Sequence, residues 1–192
     1  MFNFTIIFFE MIITMSGKAG SGKGTVSKIL TEKLWYDYIS IGNMKRDLAT
    51  TMSLTISEFN ALWELPENRE SFDLKYEEYQ KNLNLGADVI LDSRLGFYCQ
   101  PKAFKVFLDV TDEEAAKRIY GDKERTGDAY ASVQIVQQAT AKRNSDDTQR
   151  YKDIYNIDIT DKNNFDLVVD TTGKIPQQVA DEIIEVFNEY KK

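Results

Sequence analysis

The sequence predicts an α/β fold in which a parallel sheet is flanked by helices. Short apolar runs, typical of buried strands, alternate along the chain with longer segments of helical pattern. The first such strand is followed by a glycine-rich turn and then a helix. With 192 residues, 42% of them hydrophobic and 29% charged, the chain has the size and composition of one globular domain.

The amino-terminal half is predicted to contain two short extended segments and a group of helices. A buried strand over 12–15 leads to a helix over 24–34 and then to an extended segment over 38–41. Further helical segments are expected at 44–51, 56–65 and 67–85.

The carboxyl-terminal half alternates more regularly between strands and helices. Strands are expected at 87–92, 104–110 and 165–170. Helices are expected at 111–121, 130–155 and 176–191, the last with Pro176 in its first turn. Ligands of such a sheet bind beyond the carboxyl ends of the strands.

The segment GKAGSGKGT is the strongest indication of function. Its glycines let the backbone curl so that successive N–H groups point at phosphate oxygens, and the following helix adds the positive end of its dipole. Lys23 is expected to reach the terminal phosphates of a nucleotide. A turn that merely joins strand to helix is the weaker alternative. The predicted ATP-binding residues are Gly17, Lys18, Ala19, Gly20, Ser21, Gly22, Lys23, Gly24 and Thr25.

Position 24 departs from the usual loop pattern, in which serine or threonine follows the lysine and meets magnesium. Gly24 stands there, and Thr25 comes one residue later. The form GKGT is the variant seen in nucleoside monophosphate kinases. Magnesium must then depend on phosphate oxygens, water and a carboxylate elsewhere, with Thr25 as a weaker candidate ligand.

Composition excludes several classes of protein. A net charge of −7 argues against general nucleic-acid binding, which normally uses a basic face. The absence of histidine excludes His-based triads and histidine zinc sites. The single cysteine, Cys99, excludes a disulfide framework and suits a reducing compartment. We expect a cytoplasmic monomer without nucleic-acid or membrane partners.

The first ten residues form an apolar leader. They lack a basic start and a small-residue cleavage site. Even joined to 11–15 they are shorter than the about 20 residues of a membrane span. Either they lengthen the first strand, or translation starts at Met11 and 1–10 is upstream sequence; we favour the second alternative.

Charged side chains follow the predicted strand 87–92. Asp92 comes after an apolar run, so it is expected at the carboxyl end of the strand, where it would hold magnesium through water. Arg94 is placed to grip a phosphate. The alternative is a surface salt bridge in an ordinary strand-ending turn.

A second charged group lies on the predicted helix 130–155. Arg143, Asp147 and Arg150 are spaced by four and three residues, so they share one helix face. Alone they would be ordinary surface ion pairs. With Arg118 and Arg125 upstream, they form the set of guanidinium groups that phosphoryl transfer requires.

Six motifs together resemble a cytidylate kinase of the short, archaeal-like type. They are GKAGSGKGT at 17–25, IGNMKR at 41–46, LDSR at 91–94, FLDVTDEEAAKRI at 107–119, RNSDDTQRY at 143–151 and YNIDITD at 155–161. The resemblance implies a three-layer P-loop kinase fold. It implies one domain over 1–192, with a helical acceptor-binding insertion at 42–85 and a helical lid at 118–155.

The resemblance also implies roles for individual residues. Arg46 and Arg94 would contact the acceptor phosphate, and Asp147 the acceptor nucleoside. Arg118, Arg143 and Arg150 would act with Lys23 in catalysis by bridging donor and acceptor. The chain departs from the family pattern at Ile41, often serine in larger members, at Ser93, usually glycine, and at the lid entrance 121–127, which contains Arg125.

The implied reaction is transfer of a phosphoryl group from ATP, with Mg²⁺, to a pyrimidine nucleoside monophosphate, CMP or dCMP before others. An ionised acceptor oxygen needs no general base, which fits a chain without histidine. Two alternatives stay open. One is another small-molecule kinase, acting on AMP, UMP or a nucleoside; the other is a nucleotide-binding regulatory protein without catalysis.

Overall fold

The computed structural model describes residues 11–83, 86–122 and 131–192. The leader 1–10 and Arg125 lie outside the described residues. The described chain contains a sheet of parallel strands in the order β2-β3-β1-β4-β5. The strands are β1 (Ile12–Gly17), β2 (Asp37–Ser40), β3 (Val89–Asp92), β4 (Phe104–Asp109) and β5 (Leu167–Asp170).

The predicted long helices are all present. The helices are α1 (Lys23–Leu34), α2 (Ile41–Thr51), α3 (Ile56–Trp63), α4 (Pro66–Lys81), α5 (Gly96–Cys99), α6 (Asp112–Gly121), α7 (Val133–Tyr155) and α8 (Pro176–Tyr190), with a 3-10 turn at Lys162–Asn164. Sequence analysis missed α5 and the 3-10 turn because segments of three or four residues show no periodicity.

The boundary between β2 and α2 differs from the prediction. The strand ends at Ser40, and the helix begins at Ile41 rather than at position 44. The Ser40 hydroxyl accepts a hydrogen bond from the Asn43 backbone N–H at 3.3 Å, so it caps the helix. Ile41 is buried and packs against Leu91 of β3. The helix therefore starts directly at the carboxyl end of the sheet.

The two faces of the sheet are covered by different helices. Ile13 and Met15 of β1 point into a core formed with α1 and α8. On the other face, Phe165 packs against Phe97 of α5 and Phe107 of β4, with ring centroids 4.8 and 4.9 Å apart. The α/β fold with helices on both faces is thus confirmed.

The helices α3 and α4 are held together by aromatic rings. Trp63 stacks on Phe72 with centroids 4.9 Å apart and contacts Phe59 edge-to-face at 5.5 Å. Thr55 and Glu58 form a capping box that fixes the start of α3. These ring contacts fix α4 against α3.

The strand order places a crevice beyond β1 and β3. After β1 the chain forms β2 at the edge of the sheet, and β3 then inserts between β1 and β2. This order creates a topological switch point, which is where sheets of this kind bind ligands. Met15 of β1 pairs with Asp92 of β3. The glycine-rich loop and Asp92 therefore meet at one edge of the sheet. None of the helices in the described residues is long and apolar enough to cross a bilayer.

Candidate active site

The loop between β1 and α1 is pressed against β4 and α6. Gly17 has φ +139°, and a Cβ there would lie 2.2 Å from the Leu108 carbonyl oxygen. Gly20 has φ +81°, and a Cβ there would lie 2.8 Å from the Ala115 carbonyl oxygen. Gly22, at the N-cap of α1, offers no capping side chain. The first N–H groups of the helix are therefore available to phosphate oxygens.

Gly20→Ala is expected to destabilise the protein by about 2 kcal/mol or more, because the added methyl group meets backbone atoms and the backbone is left-handed. For a domain of this size that lowers Tm by roughly 5 °C. Thermal denaturation followed by circular dichroism measures the change. Gly121→Ala, where a Cβ meets no atom, is the control and should leave Tm unchanged or raise it. Equal melting temperatures for the two variants would contradict this account of the loop.

Lys23 folds back over the loop. Its Nζ donates hydrogen bonds to the carbonyl oxygens of Gly17 at 2.9 Å and Lys18 at 3.2 Å. The pKa of Lys23 is lowered to about 8, chiefly by burial and also by Arg94 and Arg143, while Asp92 and Asp147 oppose the change. The ammonium is thus poorly solvated before a ligand arrives. A polyphosphate placed here would stabilise its charge.

ATP affinity is expected to fall as pH rises through the depressed pKa of Lys23. Below a pH of about 8, Lys23 of the free protein is protonated. Above this pH, Lys23 must take up a proton when ATP binds, so the Kd for ATP should rise about tenfold per pH unit. Calorimetric titration with Mg-ATP between pH 7.5 and 9.5 measures this. Lys23→Arg should flatten the profile because a guanidinium stays charged in this range. A wild-type profile as flat as that of the arginine variant would refute the assignment.

Asp92 faces the start of α1. Its carboxylate accepts a hydrogen bond from the Tyr38 hydroxyl at 3.2 Å, and a Cβ at Gly24 would lie 3.8 Å from the same carboxylate oxygen. Burial raises the pKa of Asp92, although Lys23 and Arg46 oppose that rise. Burial likewise raises the pKa of Tyr38 to about 12. The missing hydroxyl at position 24 leaves room between helix and carboxylate.

The Asp92 carboxylate fits a magnesium ion that is bound together with a nucleotide. In the described residues no group of three or more His, Cys, Asp or Glu side chains is placed to hold a metal. Mg²⁺ commonly uses one or two carboxylates together with water and substrate phosphates. Asp92 is the carboxylate that meets this requirement. Thr25 is exposed on α1, and its role as a ligand stays a prediction.

A chain of ion pairs joins the segment that follows β3 to the helix α7. The Arg94 guanidinium lies 3.0 Å from one Asp147 carboxylate oxygen, and Arg150 lies 3.0 Å from the other. Burial opposes ionisation of Asp147, but Arg94 and Arg150 hold its pKa below the usual value. Arg150 is buried, and Arg94 and Asp147 are mostly shielded from solvent, so these are not the surface ion pairs that the spacing alone would suggest.

Arg150 continues this chain towards the insertion. It is only 7% exposed, and its Nε lies 3.6 Å from the Asp73 carboxylate on α4. Burial disfavours its charge, but Tyr151, Asp147 and Asp73 raise the pKa of Arg150. Sequence analysis predicted Arg150 and Asp147 but not Asp73. Asp73 lies in a polar helix whose pattern gives no sign of a buried carboxylate.

Arg46 and Arg143 lie at the edges of this group. Arg46 is exposed on α2, where it donates to the Asn43 side-chain oxygen, and it is close enough to Asp92 to lower the pKa of that carboxyl. Arg143 is exposed on α7 and acts electrostatically on both Lys23 and Asp147. The positive charge of Arg46 therefore influences Asp92, and that of Arg143 influences Lys23 and Asp147.

Arg118 is not brought into this group. Its guanidinium donates to the Glu114 carboxylate at 3.0 Å, the Thr171 hydroxyl at 3.1 Å and the Thr171 carbonyl at 2.7 Å. The Thr171 hydroxyl also lies 3.2 Å from the Ser21 carbonyl oxygen. Arg118 thus links α6 to the end of β5 beside the loop, and its catalytic role stays a prediction. The Lys18 ammonium forms an ion pair with the Asp109 carboxylate at 3.1 Å.

Two further residues contact the loop and were not predicted. The Asn144 side-chain oxygen on α7 accepts from the Ala19 N–H and from Arg94, each at 3.3 Å. Thr171 binds the loop from the opposite side. The contact between Asn144 and Ala19 joins residues 125 positions apart in the sequence, and the contact between Thr171 and Ser21 joins residues 150 positions apart. Local patterns could therefore not indicate them. Ser93 turns its hydroxyl to the Leu95 N–H instead of towards the cleft.

A small cleft of about 60 Å³ lies between the loop and α7. The cleft is lined by Gly17, Lys18, Arg94, Phe107, Asn144, Thr148, Ile159 and Thr160. The cleft therefore lies beside the glycine-rich loop, and Arg94 is the arginine that lines it among the described residues.

Comparison with known proteins agrees with this geometry. The model of the cytidylate kinase-like family matches residues 12–173. The cytidylate kinase of Natronomonas pharaonis is 33% identical over 183 residues, which cover 94% of this chain and 91% of that protein. The S-adenosylmethionine-dependent nucleotide dehydratase of Lacinutrix mariniflava is 38% identical over 90% of this chain, which spans 35% of that longer protein. Shikimate kinase from Bacteroides thetaiotaomicron shares the fold, with TM-score 0.66, 12% identity and coverage of 93% and 98% of the two chains.

Proposed function

The chain belongs to the cytidylate kinase-like family and is a nucleoside monophosphate kinase, and from this premise we propose that its acceptor is CMP or dCMP. The products would be CDP or dCDP and ADP. The observation that supports the proposal is the chain of ion pairs Arg94–Asp147–Arg150, which is mostly shielded from solvent and acts on the charge of Lys23. It supplies planar donors for an acceptor phosphate and a carboxylate for the attached sugar.

The residues would act by positioning and by charge stabilisation. The loop N–H groups and Lys23 hold the donor phosphates, while Arg46 and Arg94 hold the acceptor phosphate. Arg143 and Arg150 come from the lid helix and follow the charge that spreads over the transferring group. Arg118 would hold Thr171, which contacts the loop, without itself touching the reacting groups.

Magnesium, when bound with ATP, would neutralise phosphate charge and orient the terminal phosphate. Asp92 is the residue that would hold it through water. The hydrogen bond from Tyr38 fixes the Asp92 carboxylate towards the loop. Closure of α7 over the cleft would exclude water, which otherwise competes as the acceptor.

An acceptor phosphate needs no base, but a hydroxyl acceptor would. The fold is shared with shikimate kinase, which makes a hydroxyl acceptor the main rival. Asp92 would be the base in that case. The inward arginines favour an anionic acceptor instead, because two neighbouring guanidinium groups match a phosphate.

An acceptor panel tests the proposal. CMP, dCMP, UMP, AMP, cytidine and shikimate are each offered with Mg-ATP, and ADP formation is measured with a coupled assay. The highest kcat/KM is expected with CMP or dCMP. Turnover confined to a non-phosphorylated acceptor would overturn the proposal, and ATP binding without turnover would favour a regulatory protein.

A further inference from the structure

The side-chain amide of Asn144 bridges two sides of the cleft. Asn144 lies on α7 and lines the cleft together with Gly17 of the loop and Arg94. Its side-chain oxygen accepts one hydrogen bond from the Ala19 backbone N–H and another from the Arg94 guanidinium, each at 3.3 Å. An amide oxygen has two lone pairs, so both donors can share this atom. The glycine-rich loop and Arg94 are therefore joined through a single atom of α7.

The guanidinium of Arg94 is held by α7 at both of its terminal nitrogens. Its Nη1 lies 3.0 Å from the Asp147 carboxylate, and its Nη2 donates to Asn144. Asn144 and Asp147 are three residues apart on α7, which places both on one face of the helix. A planar guanidinium with two acceptors on one helix face has a defined orientation. That orientation decides whether Arg94 can bind a phosphate through two parallel hydrogen bonds.

We propose that Asn144 is a positioning residue that couples the two substrates, because it transmits the state of the ATP-binding loop to Arg94. This rests on the proposed function, which puts the donor phosphates at the loop and the acceptor phosphate at Arg94. A nucleotide that orders the loop fixes the Ala19 N–H; this fixes the Asn144 amide and, through it, the guanidinium. The acceptor would then bind more tightly when ATP is present, and by linkage ATP would bind more tightly by the same factor when the acceptor is present.

A neutral acceptor suits this position better than a carboxylate. Arg94 already lies against the Asp147 carboxylate, so a second carboxylate would further neutralise its charge and repel both phosphates. An amide accepts the two hydrogen bonds without adding charge. Asparagine is only a moderate helix former, so the preference of the helix backbone does not account for it. Its chemistry at the cleft does.

Asn144→Ala tests the proposal by binding rather than by turnover. The Kd for CMP is measured calorimetrically with and without a saturating amount of the magnesium complex of the β,γ-imido analogue of ATP, which transfers no phosphoryl group. Wild-type protein should bind CMP about 5- to 10-fold more tightly with the analogue, and this coupling factor should fall below about twofold in the variant. Ser145→Ala, at an exposed position on the same helix, is the matched control and should keep the wild-type factor.

The rival explanation is that Asn144 only pins α7 to the loop. In that case Asn144→Ala weakens binding of both nucleotides while the coupling factor keeps its wild-type value, which would overturn the proposal. A coupling factor near one in the wild-type protein would overturn it as well. Wild-type protein that binds neither CMP nor dCMP, with or without the analogue, would instead refute the proposed function.

A second variant, Asn144→Asp, keeps the size of the side chain and its acceptor oxygen, in case the alanine variant does not fold. Its coupling factor should stay close to that of the wild type, because the carboxylate can still accept from Ala19 and Arg94. Its Kd for CMP alone should rise at least about fivefold, because the added negative charge repels the phosphate. A coupling factor near one for this variant would show that the shared oxygen does not connect the two sides, and the assignment of Asn144 would fail.

Discussion

Replacing Lys23 by alanine is expected to lower kcat about 10³-fold or more, which corresponds to roughly 4 kcal/mol of transition-state stabilisation. The ammonium sits at the mouth of the loop and is desolvated, so its charge acts strongly on a transferring phosphoryl group. Initial rates with saturating Mg-ATP and CMP measure the loss.

The fold of this variant should be retained. Removal of a poorly solvated ammonium relieves a burial cost while losing hydrogen bonds to Gly17 and Lys18, so Tm should change by only a few degrees. Lys28→Ala, at an exposed position on the same helix, should keep full activity. Activity of Lys23→Ala within a few-fold of wild type would refute the role of Lys23.

Arg94→Ala is expected to raise KM for the monophosphate at least about 100-fold while KM for ATP changes less than about threefold. The variant would lose the proposed contact between Arg94 and the acceptor phosphate. It also removes the ion pair between Arg94 and Asp147, so kcat should fall as well. Full kinetics with both substrates varied separate the two KM values.

Lys102→Ala, an exposed cation beyond the site, controls for the change in net charge. Arg46→Ala should shift KM in the same direction but by less, because Arg46 is exposed and Arg94 is mostly buried. Equal increases in both KM values for Arg94→Ala would place this residue between the two sites rather than in the acceptor site.

Local features of the site were predictable from the sequence. The loop, Asp92 and the face shared by Arg143, Asp147 and Arg150 follow from short-range patterns that correspond to backbone geometry. The family resemblance was confirmed by the comparisons. The end of β2 was misplaced because the Ser40 cap, which depends on a hydroxyl contact, starts α2 directly after the strand.

Long-range partners were not predictable. The strand order puts β3 between β1 and β2, and only this places Arg94 next to Asn144 and Asp147. The position of Arg118 outside the group around Lys23 was not predictable for the same reason. Its hydrogen bond to Thr171 depends on β5 lying beside β4. Such contacts arise from packing of the whole sheet, so no local pattern signals them.

Phosphorus NMR of a mixture of Mg-ATP, CMP and the protein tests the central assignment most directly. In the proposed mechanism, two anionic nucleotides are held in line and the terminal phosphate passes from one to the other without water. The spectrum should therefore gain the resonances of CDP and ADP in equal amounts, with little inorganic phosphate. Consumption of ATP to ADP and inorganic phosphate, with CMP unchanged, would contradict it.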